Sequence, residues 1–510
     1  MAQTTPISPK NRLRRANLAL LLTLSVAFSL LGCRARPGAE IVLRPTQAPT
    51  SVAETGPAAD PTPTPTPVSP TPRPTRVPPN STAISYTVRP GDTLTGIATA
   101  FGTSTEQLMQ INGLLNGDML AVGQVLQVTL AAQHVGPEAA LIPDSEAVYG
   151  PSYAEFDLDA RAEAWPGLFS AYTEMVGSEE MTGPEIVQQI AEQYGVGPRV
   201  LLALLELRGG WLSDPDPAPQ ARTYPLGYEA QEHWDGLHTQ LSIAANALNM
   251  GLYGWMEDDL WLIQTEDGTY IQFAPTLNAG TAGVQRALAG GAEDYETFVA
   301  EVARFDAVYR RLFGDPFART VAPLLPPDLE APEMTLPWPE DETWYYTGGP
   351  HGGWGTGSAW AALDFVSDER DLGCWVSQKW ATAAASGPVI ISREGEVWQD
   401  LDDDGFLGTG WVVLYMHLAS DGRPPAGTQL EVGDKIGHPS CEGGVGNASH
   451  LHIARRYNGV WIAADDPRWP MALSGWTPAS TGRAYDGTLT RDGEVRTAEE
   501  DWVAINAITH

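Results

Sequence analysis

The sequence predicts a multidomain α+β chain: a small βααβ module, a mostly helical middle domain and an antiparallel, β-rich C-terminal domain. Three observations carry that prediction. The chain has 510 residues, more than one ordinary hydrophobic core encloses. A Pro/Thr-rich stretch separates an apolar N-terminal segment from everything that follows. Beyond it, apolar residues alternate over a short module, recur at helical spacing to about residue 335, then alternate again between Gly-rich turns. The 63 acidic residues outweigh 30 basic ones, for a formal charge of −33. Such a chain repels polyanions, which argues against nucleic acid as a partner.

Residues 1–33 read as a targeting segment. "KNRLRR" is a basic flank, and the 14-residue apolar run Leu18 to Leu31 is too short to span a bilayer. It ends in "LLGC", and Cys33 after the small Gly32 resembles a bacterial lipoprotein lipobox. That resemblance implies a lipidated Cys33, a membrane anchor and an extracytoplasmic location; an ordinary secretory leader is the alternative. Residues 34–84, with "DPTPTPTPVSPTPRPTRVPP", lack backbone donors at every Pro and read as an extended stalk.

Residues 85–130 read strand, helix, helix, strand. Tyr86 and Val88 alternate, Thr93 caps a helix carrying Leu94, Ile97 and Ala98, Leu108 and Ile111 mark a second helix, and "AVGQVLQV" returns as a strand. "YTVRPGDTLTGIA" and the later "NGL" resemble a LysM module. The resemblance implies binding of peptidoglycan glycan strands, in a groove near Gly91–Thr95 and Asn112–Asn116.

The middle domain, 143–335, is helical in pattern. Thr182 with Glu185 forms a capping box ahead of Ile186, Ile190 and Ala191. "PRVLLALLELRGGW" reads as a buried helix broken at Gly209–Gly210, and "LSIAANALNMGLYGW" as another. The order is faintly similar to lysozyme-like transglycosylase domains, but Arg208 stands where their catalytic Glu aligns. Glu206, two residues earlier, reads as an ordinary helix residue or a displaced general acid.

Residues 340–475 form the β-rich domain, and 476–510 an extension. Five of the nine histidines lie between His351 and His452. Alternation along "SHLHIARRY" points His450 and His452 to one face and Leu451 to the other. The pair acquires meaning from "GGPHGGWGTGSAWAALDF", with His351 and Asp364 thirteen residues apart, and from His417 in "LYMHL". In that order the motifs resemble the lysostaphin-type zinc endopeptidases of bacterial cell walls, in their β-lytic (staphylolysin-like) subgroup. Most of the wider family places the first His four residues before the Asp, where this chain has Trp360; only the long spacing of the subgroup makes His351 a ligand. The resemblance implies Zn²⁺ held by His351, Asp364 and His452, a set that leaves a fourth position for water. His417 and His450 remain as general base, oxyanion stabiliser or proton donor, without division of the roles. The implied function is hydrolysis of peptide bonds in peptidoglycan. Gly352, Gly353, Gly355 and Gly357 read as making the loop flexible enough for His351 to reach; should it fail to, the alternative is a catalytically inactive, wall-binding scaffold or regulator.

Two cysteines remain. In an exported chain Cys374 and Cys441 are expected to pair, a thiolate zinc ligand being the rival. Asp400, Asp402 and Asp404 with Gly405 open like an EF-hand Ca²⁺ loop, but Trp411 stands at its twelfth position, and an acidic hairpin turn is the alternative.

Overall fold

The computed structural model describes residues 82–510, apart from 89–92, 95–96, 99–102, 104, 115–119, 122, 131, 230–232, 258–259, 370–372 and 445. Cys33, the leader and the stalk to residue 81 lie outside the described residues. So do Gly91, Thr95 and Asn116 of the expected glycan groove. The expected stalk end at 84 is corrected: β1 (Thr82–Thr87) already pairs with β2 (Val125–Leu130), Thr82 opposite Leu130. Between them α1 (Thr105–Asn112) buries Leu108. The Asn112 amide is tied to β2, donating to the Gln127 carbonyl at 2.6 Å and accepting from its N–H.

The middle domain follows the helical pattern. The helix α2 (Gly183–Tyr194) opens on the expected capping box, with both the Thr182 and Glu185 bonds present. The next helix, α3 (Pro198–Gly209), stops because Gly210 takes φ +65°, which a residue without Cβ adopts freely. Three further helices, α4 (Leu237–Met256), α5 (Ala279–Ala289) and α6 (Tyr295–Phe313), complete the set used below. A short hairpin of β3 (Leu262–Gln264) and β4 (Tyr270–Gln272) joins α4 to α5. Tyr270 of this hairpin packs into the core of the βααβ module beside Leu108, Leu126 and Val128.

The C-terminal domain is built on an antiparallel sheet, nine-stranded among the described residues. Its strands include β5 (Thr343–His351), β6 (Ala362–Val366), β7 (Gly387–Arg393), β8 (Glu396–Asp400), β9 (Trp411–Met416), β10 (Gln429–Leu430), β11 (Leu451–Tyr457) and β12 (Ala507–Thr509). The spatial order is β10-β7-β8-β9-β11-β6-β5-β12. Thus the extension 476–510 supplies the edge strand, Ala507 opposite Tyr345.

Period-two alternation gives this sheet two apolar faces. Val397, Val413, Tyr415, Leu363, Phe365, Leu451 and Ile453 fill one core. Trp398, Val412, Leu414, Met416, Ala362 and Ala454 face the other way, into one continuous core with the helices of the middle domain. Burying both faces explains why β9 reads as an unbroken apolar run rather than a half-polar one. Polar contacts lock the same seam. Gln193 donates to Glu396 at 2.6 Å, Arg456 to the Glu192 carbonyl at 2.6 Å, and the Trp461 indole to the Tyr194 carbonyl at 3.0 Å.

Candidate active site

Asp364 on β6 and His452 on β11 are direct cross-strand partners, so their side chains leave the sheet on one face. His351 ends β5, and irregular register between Gly348 and His351 turns its ring toward that face. Three donor atoms converge there. His351 Nε2 lies 3.1 Å from His452 Nδ1 and 3.4 Å from Asp364 Oδ1, and His452 Nδ1 lies 3.2 Å from the same oxygen.

The outward ring nitrogens set the tautomers. His351 Nδ1 donates to the Gly349 carbonyl at 2.8 Å, and His452 Nε2 to the Gly353 carbonyl at 3.1 Å. Each neutral ring therefore turns a lone pair inward, toward a carboxylate oxygen. Three converging lone pairs need a cation between them. Burial opposes charge on Asp364, yet the facing His351 and His450 hold its carboxyl well below the ordinary range. Burial likewise opposes charge on His351, but Asp364 raises it overall, whereas burial dominates at His452 and lowers it. The cluster thus calls for positive charge at its centre. A tetrahedron with bonds typical of zinc to nitrogen or oxygen has edges of about 3.3–3.4 Å, close to the spacings found. The residues fit the ion.

Beside these donors stand the other two histidines. His450 Nδ1 donates to the Ala448 carbonyl at 2.8 Å, leaving Nε2 turned to the site, 3.8 Å from Asp364 Oδ1. His417 follows β9 at φ +62°, its Nδ1 donating to the Glu442 carbonyl at 3.1 Å. Its ring centre is 4.3 Å from that of His450. Burial, then His450 and His452, push His417 down to about 3, so it remains neutral at ordinary pH. A disulfide joins Cys374 to Cys441, as expected for an exported chain. It sits where it holds both histidine segments. Glu442, next to Cys441, supplies the carbonyl for His417, while Trp375, next to Cys374, donates to Ser449 beside His450.

Tyr485 was not visible as a site residue in the sequence. It comes from the C-terminal extension and stacks on His351, ring centres 4.2 Å apart and planes 21° apart. Its carbonyl accepts from Gly349 N–H at 2.7 Å, so the extension grips the same turn that orients His351. Nothing in "RAYDG" marks it, because the contact is made entirely by tertiary structure.

The sequence of protease LasA from two strains of Pseudomonas aeruginosa is 26% identical over 354 residues, spanning 64% of this chain and 76% of LasA. This chain is homologous to LasA. The family model described as the LasA N-terminal domain matches residues 140–327, the helical region expected at 143–335. The LysM domain model matches 86–129. N-acetylmuramoyl-L-alanine amidase XlyA of Bacillus subtilis is 42% identical over 60 residues, 12% of this chain and 20% of XlyA. Among solved structures, the M23 metalloprotease pseudoalterin from the deep sea is 22% identical, covering 32% of this chain and 94% of its own, with a TM-score of 0.27. The lysostaphin catalytic domain of Staphylococcus simulans is 20% identical, covering 24% and 89%, with a TM-score of 0.17.

In the LasA-like middle domain, Glu206 is not placed as a general acid. Its buried carboxylate accepts from Leu212 N–H, Ser213 N–H, Ser213 Oγ and Arg311, closing the turn after α3. Glu206→Ala leaves those donors unpaired and should lower stability by about 2–4 kcal/mol in urea titration, a structural effect. The acidic loop also turns inward. Asp400 accepts from Asp402 N–H and Gly405 N–H, and Asp404 from Phe406 N–H. Burial and neighbouring Asp400 raise Asp402 to about 7. Calcium finds no support beyond the proximity of the three carboxylates. No helix among the described residues is long and apolar enough to cross a membrane.

Proposed function

We propose that this chain is a zinc-dependent endopeptidase that hydrolyses peptide bonds of bacterial cell-wall peptidoglycan. It would be anchored outside the cytoplasm through lipidated Cys33 and directed to the wall by its LysM module. The observation that carries the reading is the convergence of His351 Nε2, Asp364 Oδ1 and His452 Nδ1 with both outer ring nitrogens already tied to carbonyls. Homology to a protease, the match to the LysM domain model and a short likeness to an N-acetylmuramoyl-L-alanine amidase support the substrate class.

His351, Asp364 and His452 would hold the ion, which when bound supplies Lewis acidity and a water of lowered pKa. His450, whose Nε2 lies 3.8 Å from Asp364 Oδ1, would accept the proton of the attacking water and pass it to the leaving amine. His417, kept neutral by burial and its neighbours, has its ring centre 4.3 Å from that of His450 and would help to orient the reacting groups. The disulfide-held segments restrict both rings before substrate arrives, which limits reorganisation during the reaction. Anchoring to the wall polymer raises the local concentration of scissile bonds.

Incubating purified peptidoglycan with the intact chain tests the reading. New free amines without new reducing sugar ends are expected. Reducing ends alone would assign glycan cleavage instead and overturn it.

A further inference from the structure

We propose that Asn246, on α4 of the helical middle domain, is a positioning residue for the candidate metal centre in the β domain. The inference rests on the zinc reading above and concerns how this chain holds His452. It starts from the Gly353 carbonyl, which accepts from His452 Nε2 at 3.1 Å and so sets which nitrogen faces the ligand set. An outer partner of this kind commonly governs the affinity of a metal-binding histidine.

Gly353 belongs to the glycine-rich loop 352–359. In the sequence those glycines read as slack that lets His351 reach its partners. The structure corrects that reason, because the loop is clamped rather than slack. Gly353 N–H donates to the Ala359 carbonyl and Trp354 N–H to Ser358 Oγ, closing the loop on itself. A Cβ on Gly353 would lie 2.5 Å from the Trp461 indole, so the glycine is there for close approach. Gly357 has the same constraint against α4, where a Cβ would lie 2.8 Å from Met250 Cγ.

One side chain reads both ends of the loop's tip. Asn246 Oδ1 accepts from Gly357 N–H at 2.8 Å, and Asn246 Nδ2 donates to Thr356 Oγ1 at 3.1 Å. Tyr194 of α2 adds an edge-to-face contact to Trp354, and its carbonyl is in turn held by Asn249 of α4 and by Trp461. A contiguous path therefore runs from α4 through Asn246 and the loop to the Gly353 carbonyl and His452. Loss of Asn246 frees Thr356 and Gly357, lets the Gly353 carbonyl drift and removes the bias on the His452 ring. Neither bond touches the ligands directly.

The test is zinc affinity of the intact chain, measured by competition with a chromogenic chelator, for wild type, Asn246→Ala and Asn246→Asp. Asn246→Ala should bind Zn²⁺ about ten-fold more weakly, at the lower end of outer-partner losses, while thermal unfolding of the metal-free chain is unchanged. Asn246→Asp retains the acceptor for Gly357 and gains one for the Thr356 hydroxyl, so it should return affinity to within about three-fold of wild type. Wild-type affinity in Asn246→Ala, or equal weakening in Asn246→Asp, overturns the proposal. A wild-type chain that takes up no zinc overturns the functional reading itself, before any variant is compared.

Discussion

His452→Ala should abolish zinc binding and reduce amine release from peptidoglycan by at least ~10³-fold. His452 Nδ1 is one of three converging donors, 3.1 Å from His351 Nε2 and 3.2 Å from Asp364 Oδ1. Removing it leaves an imidazole and a carboxylate, too few to hold the ion against solvent. The loss extends beyond one ligand, because the Gly353 carbonyl also loses its donor. Elemental analysis should find about one zinc per wild-type chain and almost none in the variant. Zinc retained at wild-type level in His452→Ala would place the ion elsewhere.

The second large effect separates catalysis from metal binding. His450→Ala should keep zinc but lower turnover by roughly 10²–10⁴-fold, the range for loss of a positioned acid–base group. Its Nε2 stands 3.8 Å from Asp364 Oδ1, beside the donors without completing them. His417→Ala should also keep zinc and lose activity, since its ring lies tilted against His450, centres 4.3 Å apart, and is fixed by the Glu442 carbonyl. Combining the two should cost less than the product of the single losses, because the rings serve one proton path. Loss of zinc in either single variant would return that residue to the ligand set.

How far the site could be read from sequence follows the range of each interaction. His450 and His452 share a face because a strand repeats every two residues, and that needs no tertiary information. Asp364 is marked in the sequence by its motif alone, and the structure places it on β6, directly opposite His452. His351 is harder. Its ring reaches the others through irregular pairing between Gly348 and His351, while Trp360, at the usual family spacing, only accepts a backbone bond from Ala464. The glycines between them were legible as special but not for the right reason, since close approach to α4 and Trp461 depends on the docked middle domain. Tyr485 and Asn246 were invisible. Each lies more than a hundred residues from the histidine it affects and carries no local pattern.

The fold divides the same way. Capping at Thr182, the stop at Gly210 and alternation in β11 are local, and all three appear as read. What local pattern does not carry is the shared core. The apolar face formed by Trp398, Val412, Leu414 and Ala454 is covered by helices from another domain, not by the rest of its own sheet. A sequence read domain by domain treats that face as belonging to the sheet alone, and so misses that the middle domain helps to build the site.

The most direct test of the central claim is a zinc titration of the metal-stripped chain acting on purified peptidoglycan. Amine release should be absent at first, rise in proportion to added Zn²⁺ and level off at about one equivalent per chain. Full release by the metal-free chain, or none at any zinc level, would contradict the account.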